Sequence, residues 1–236
     1  MCGRFTLRAG PDEVAEVLPG LQVGAWPGPR YNIAPSQPVP TVLNENPQVL
    51  TWTRWGLIPA WAKDPQIGNR LINARAETLL EKPSFRGPLL RRRCLIVADG
   101  FYEWPKKAEG KPRTPVYFRL KGHHPFVFAG LWDRWQDPGG EVLTTCTIIT
   151  TEANELVAVV HDRMPVILRP EWVERWLAPD VRDPETLMEA LKPYPAEAME
   201  AYPVSRLVND PRVDSPECIR PVASPGRMGS GIRPSL

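Results

Sequence analysis

Four runs of β-branched and aromatic residues fill the middle of this chain. They are CLIVADGFYEW (94–104), PVYFRL (115–120), HPFVFAGLW (124–132) and VLTTCTIITT (142–151). Polar or Gly/Pro turns separate them, so each run predicts a strand. No helix-length segment alternates with them, which excludes a parallel βαβ architecture. A second strand pair is predicted at 38–43 and 48–55, joined through Asn44–Pro47. Helical patterns flank the strands at 11–18, 152–160, 170–177 and 184–192, most with a proline near the start. Residues 76–92 predict helix in pieces, broken at Pro83 and near Gly87-Pro88. Residues 56–72 predict an ordered loop, and Pro165–Leu168 a short strand. The expected fold is α+β: one domain with a mainly antiparallel, barrel-like β core flanked by helices.

At 236 residues with 42% hydrophobic content the chain can bury a sizeable core. The expected domain spans 1–221, and the Gly/Ser/Pro/Arg-rich residues 222–236 are expected to be a disordered tail. A net charge of +2 neither demands nor excludes a nucleic-acid partner. Cys2, Cys94, Cys146 and Cys218 lie far apart without CxxC spacing, which indicates neither a zinc site nor a disulfide framework. Reduced thiols fit a cytoplasmic protein. No secretory signal or membrane-length apolar run is visible, and no metal or cofactor is expected.

The chain opens Met1-Cys2-Gly3-Arg4-Phe5. Loss of Met1 would give Cys2 a free α-amine beside its thiol. Unperturbed, these titrate near roughly 8 and about 8.5, close to usable at neutral pH. Such a pair condenses with an aldehyde and closes a five-membered thiazolidine. The competing reading is a small buried hydrophobe at the start of a strand. Three further segments set reactive residues in apolar text: Arg70–Glu77, Asp99–Trp104 and His161–Pro165. Glu103, between Tyr102 and Trp104, is either a general acid–base with a raised pKa or a solvated strand end. His161 is either structural or a partner of Cys2 or Glu103, whereas His123 and His124 read as solvated. Arg4, Arg75 and Arg163 are either phosphate ligands or surface ion pairs. The Arg91–Arg93 run is either a helix face or a phosphate contact.

Six blocks then carry a resemblance: MCGRF (1–5), RYNIAP (30–35), RWGLIP (54–59), INARAET (72–78), ADGFYEW (98–104) and HDRMP (161–165). In this order they resemble the SRAP family, the SOS response-associated peptidases, over residues 1 to about 222. The resemblance implies a protein that binds abasic sites in single-stranded DNA and links to them through Cys2 as a thiazolidine. It implies self-catalysed removal of Met1, action as a monomer, and association with the nucleoid on DNA damage. By the same resemblance, Asn73 and His161 position the opened deoxyribose and Glu103 handles protons. Arg4, Arg75 and Arg163 contact phosphates. Asn32 and Pro35 belong to a loop near the site, with Pro35 as a wedge, while Trp61 and Thr150 line the DNA channel. Two other functions compete: a thiol peptidase acting on other proteins through Cys2, His161 and Glu103, and a single-strand binding module without chemistry.

Overall fold

A computed structural model describes residues 2–105 and 113–222. Its strands are β1 (Phe5–Leu7), β2 (Arg30–Ile33), β3 (Pro38–Leu43), β4 (Leu50–Trp55), β5 (Asn73–Arg75), β6 (Arg93–Ala98), β7 (Gly100–Glu103), β8 (Val116–Leu120), β9 (Phe126–Gln136), β10 (Val142–Glu152), β11 (Arg163–Pro165) and β12 (Met199–Pro203). The helices are α1 (Pro11–Val17), α2 (Pro83–Arg91), α3 (Glu155–Ala158), α4 (Pro170–Leu177) and α5 (Pro184–Glu189). The tail expected over 222–236 lies, beyond Val222, outside the described residues.

Five strands close on themselves. β10 pairs with β4, β4 with β3, β3 with β6, β6 with β9, and β9 with β10. A ring with an odd number of strands cannot alternate direction throughout. The forced parallel pair is β4–β10, with Thr145 opposite Arg54. β5 and β11 add to the far half of β10, through Ile148–Asn73 and Thr150–Pro165. A second, wholly antiparallel sheet runs β12-β8-β7-β1-β2. This is the expected α+β domain with a barrel-like core.

The sheets are joined by aromatic packing. Phe5 of β1 lies edge-on to Trp55 at 5.3 Å and to Phe128 at 5.7 Å, and Phe101 of β7 lies edge-on to Phe128 at 6.3 Å. Burying each of these phenyl rings stabilises the fold by roughly 2–3 kcal/mol. Helices α1, α2, α4 and α5 each begin with a proline, where a missing N–H costs nothing. α3 begins instead at Asn154, whose side chain accepts from the Val157 N–H at 3.0 Å.

Three expectations need correction. Residues 94–104 are not one strand. Asp99 turns the chain out of the barrel into the second sheet, because its buried carboxylate captures the corner. It accepts from the N–H groups of Arg8 (2.6 Å) and Ala9 (2.9 Å) and from the Thr6 hydroxyl. Helix α2 is not broken at Gly87-Pro88; it runs through Pro88, losing one backbone bond while Phe85 and Leu89 hold its buried face. Helix 152–160 shrinks to the single turn of α3, since 142–152 is a strand paired with four neighbours. The Arg91–Arg93 run is no uniform patch either. Arg93 is fully buried, and its guanidinium donates to the carbonyls of Trp176 (2.6 Å), Leu89 (2.9 Å) and Ala178 (2.6 Å). Arg92 pairs with Asp133.

Candidate functional site

Residue 2 is where the two sheets meet. β1 pairs with β7 with Phe5 opposite Phe101, and the Tyr102 N–H donates to the Arg4 carbonyl at 3.0 Å. That register brings the end of β7, and so Glu103, alongside the start of the chain. From the barrel side, Asn73 on β5 donates its amide Nδ2–H to the Cys2 carbonyl at 2.8 Å. Cys2 itself is fully buried, with its thiol directed at the Arg4 carbonyl at 3.9 Å.

Burial alone does not distinguish Cys2, since Cys94, Cys146 and Cys218 are buried too. Its neighbours do. Cys94 and Cys146 lie on ring strands, whereas Cys2 sits between a carboxamide and a carboxylic acid. Burial first, then the charge of Glu103, pushes the Cys2 thiol far above the usual cysteine range. The unperturbed value expected for the thiol therefore does not hold, and the resting sulfur is protonated at neutral pH.

Glu103 is only 2% exposed, so the solvated-strand-end reading does not describe it. Burial pushes its carboxyl up to about 7, repulsion from Asp162 adds to this, and the Trp104 N–H works in the opposite direction. A carboxyl poised there both gives and takes protons at neutral pH. Asn73 Oδ1 is a buried acceptor with no protein partner. Cys2, Asn73, Glu103 and the His161-Asp162 turn thus converge from β1, β5, β7 and the α3–β11 connection. The His161 ring is held from behind: Nδ1 accepts from the Arg163 N–H at 3.0 Å and lies 3.2 Å from Asp162 Oδ1.

The expected phosphate ligands differ among themselves. Arg75 is exposed. Arg163 is committed: its Nη1 and Nη2 bond Glu77 at 2.7 and 2.9 Å, and Nη2 also reaches the Thr150 carbonyl at 2.7 Å. This fork holds the Glu77 carboxyl below its usual range. Arg4 bonds Asn32 Oδ1 at 2.8 Å and the carbonyls of Val208 and Asn209. Asn32 is fully buried, and so is Thr150, inside the β10 ladder. Pro35 and Trp61 stand on two loops linked by the Ser36 hydroxyl, which donates to Asn69 Oδ1 at 3.3 Å. Trp61 is 60% exposed, a large apolar surface beside the barrel.

Glu77 was part of a quoted motif but carried no expected role; only the fold reveals it as the partner of Arg163. The Val208–Val213 carbonyls around Arg4 and Asn32 leave no side-chain signal to find. Among the described residues no cluster of three His, Cys, Asp or Glu could hold a metal, and no helix is long and apolar enough to cross a membrane.

Comparison with known proteins places this geometry in context. A family model described as SOS response associated peptidase (SRAP) matches residues 1–211. The chain is 52% identical over 223 residues to "Abasic site processing protein YoqW" of Bacillus subtilis (strain 168), covering 93% of this chain and 99% of that one. It is 39% identical over 226 residues to "Abasic site processing protein HMCES" of Gallus gallus, covering 82% and 66%. A crystal structure of a protein from Bacteroides thetaiotaomicron superposes with a TM-score of 0.85 at 30% identity, covering 94% of this chain and all of that one.

Proposed function

Because the chain belongs to the SRAP family, we propose that it processes abasic sites in single-stranded DNA by covalent capture through Cys2. The observation that carries this reading is the convergence on residue 2. One amide holds its carbonyl, and one carboxyl poised near neutrality acts on its thiol.

Hydrolysis of the Met1–Cys2 peptide bond consumes one water and frees the Cys2 amine. The ring-opened abasic sugar offers an aldehyde. The amine nitrogen adds to the aldehyde carbon, giving a carbinolamine. Glu103 as the acid protonates the departing hydroxyl, which leaves as water. Sγ then attacks the iminium carbon and passes its proton to the Glu103 carboxylate. One C–N and one C–S bond form, and the carbonyl oxygen leaves as a single water. Proton return to Glu103 explains why a protonated resting thiol is no obstacle.

In this reading Asn73 fixes the backbone of residue 2 and offers Oδ1 to a sugar hydroxyl, and His161 faces the same sugar. Arg4, Arg75 and Arg163 lie along the strand's phosphates, with Pro35, Trp61 and Thr150 along its path. The protein acts as a monomer in the compartment that holds the DNA. A thiol peptidase acting on other proteins would need a ready thiolate, which the burial of Cys2 disfavours.

The test uses a uracil-containing single strand treated with uracil glycosylase. The expected result is an adduct that survives denaturing electrophoresis, with intact mass showing Met1 lost. Cys2→Ala protein should still bind the strand and form no adduct. An adduct formed equally well by Cys2→Ala overturns the proposal; equal affinity for intact and abasic strands without any adduct favours a plain binding module.

A further inference from the structure

Arg4 stands two residues from Cys2, and its guanidinium carries five N–H donors. Three are committed to protein: Nη1 to Asn32 Oδ1 (2.8 Å) and to the Val208 carbonyl, Nη2 to the Asn209 carbonyl (3.3 Å). The Nε–H and one Nη2–H are left, and together they suit a phosphate fork. All three acceptors are neutral. Among the described residues no carboxylate lies within ion-pair distance of Arg4, and Asp210, the acid that most influences it, is held by Arg212 at 2.8 Å. Arg163, by contrast, is already neutralised by Glu77.

What shapes this setting is Asn32. It is fully buried, and both polar atoms of its side chain are spent inside the protein. Its Nδ2 donates to the carbonyls of Val208 (3.2 Å), Asp210 (2.9 Å) and Val213 (2.7 Å), and its backbone N–H donates to Asp214 Oδ1 at 3.0 Å. Its remaining oxygen accepts from Arg4.

We propose that Asn32 is a positioning residue that touches no DNA. It gathers the 208–213 carbonyls around Arg4, so that an un-neutralised guanidinium edge meets a backbone phosphate next to the nucleophile. This rests on the single-strand reading above.

The test measures affinity for a fluorescent single strand without an abasic site, as a function of salt. Arg4→Ala should flatten the log–log salt slope by about 0.7, the contribution of one phosphate contact. It should weaken binding about tenfold at low salt, as expected for one lost charge-assisted bond. Asn32→Ala should do the same, and the double variant no more than either. Asn32→Ser, which keeps a hydroxyl donor for the 208–213 carbonyls but is too short to hold Arg4, should also flatten the slope, and it decides the matter if Asn32→Ala fails to melt like wild type. Wild-type slopes in the Asn32 variants, or losses that add to that of Arg4→Ala, overturn the proposal. A wild-type protein that binds no strand overturns the functional reading instead.

Discussion

Glu103 links stability to chemistry within one side chain. Its carboxyl titrates near 4.5 when unfolded and near 7 when folded. The folded chain therefore holds that proton more tightly. The contribution is whole below pH 4.5 and is lost as pH rises through 7, amounting to on the order of 3 kcal/mol across that window. Urea titrations of the Cys2→Ala protein and its Glu103→Gln derivative from pH 4.5 to 8 check this: the extra downward slope should vanish in the derivative. Glu103→Gln should also slow adduct formation by about 10²-fold or more and remove a pH dependence centred near neutrality. At this scale Cys2 and Glu103 stand out as reactive residues in apolar text, whereas Asn73 comes from the family resemblance. The sequence could not say that Arg163 is already paired or that Asn32 is spent on backbone carbonyls. Those facts depend on residues 86 and about 180 positions away.

The Asp99 corner decides whether β6 and β7 form one element or two. Sequence patterning reads the 94–104 run as continuous, since apolar residues lie on both sides of Asp99-Gly100. The turn is made by contacts to Thr6, Arg8 and Ala9, 90 to 93 residues earlier, and no local signal encodes them. Removing a buried charged acceptor strands its donors, so Asp99→Ala should cost about 3 kcal/mol by chemical unfolding. Gly100 has no room for a side chain, because a Cβ there would run into the Tyr117 ring. By contrast, β3 was legible to the residue and β4 to within two. Asn44–Pro47 is a strong turn, but the observed pairing of Thr41 with Thr51 lies one residue beyond the register that a connection over those four residues alone would give. The proline-led helices were legible for a similar reason, although Pro88 shows that a proline inside a short, well-packed helix need not end it.

At the level of the whole molecule, the two ends of the described chain meet at the site. Residues 206–219 fold into short 3₁₀ turns against β1 and β2. They are fastened by Arg4, by Asn32 and by Trp104, whose indole N–H donates to Asn209 at 2.8 Å. A chain ending at Ser205 should keep the barrel, because none of its ring strands is lost. It should bind single strands at least tenfold more weakly, about the loss of one charge-assisted contact, as read by fluorescence anisotropy. Near-UV circular dichroism should retain the Phe5–Trp55–Phe128 signature. Overall architecture, the barrel-like core included, was expected from strand content and the resemblance, but which strands close the ring was not legible, since that depends on pairings between segments far apart in the chain.

The parallel contact between β4 and β10 has an architectural result. β4 ends at Trp55 beside Cys146, and β5 begins at Asn73 beside Ile148, so both lie on one edge of β10, two positions apart. The Gly56 N–H bonds the Cys146 carbonyl, and the Ile148 N–H bonds the Ile72 carbonyl. The intervening stretch, Trp61 included, departs from the barrel and returns at almost the same point. Gly56 and Gly68 pinch its neck so tightly that a Cβ on either would come within 2.8 Å of the other's carbonyl. Beyond the neck it is pinned to the barrel wall, where the Ala60 N–H bonds Asp133 and the Trp135 indole N–H bonds the Ala62 carbonyl. The solvent-facing rim around Trp61 is thus the part of the stretch that can vary in sequence while the neck, the wall contacts and the hold of Asn73 on residue 2 stay in place.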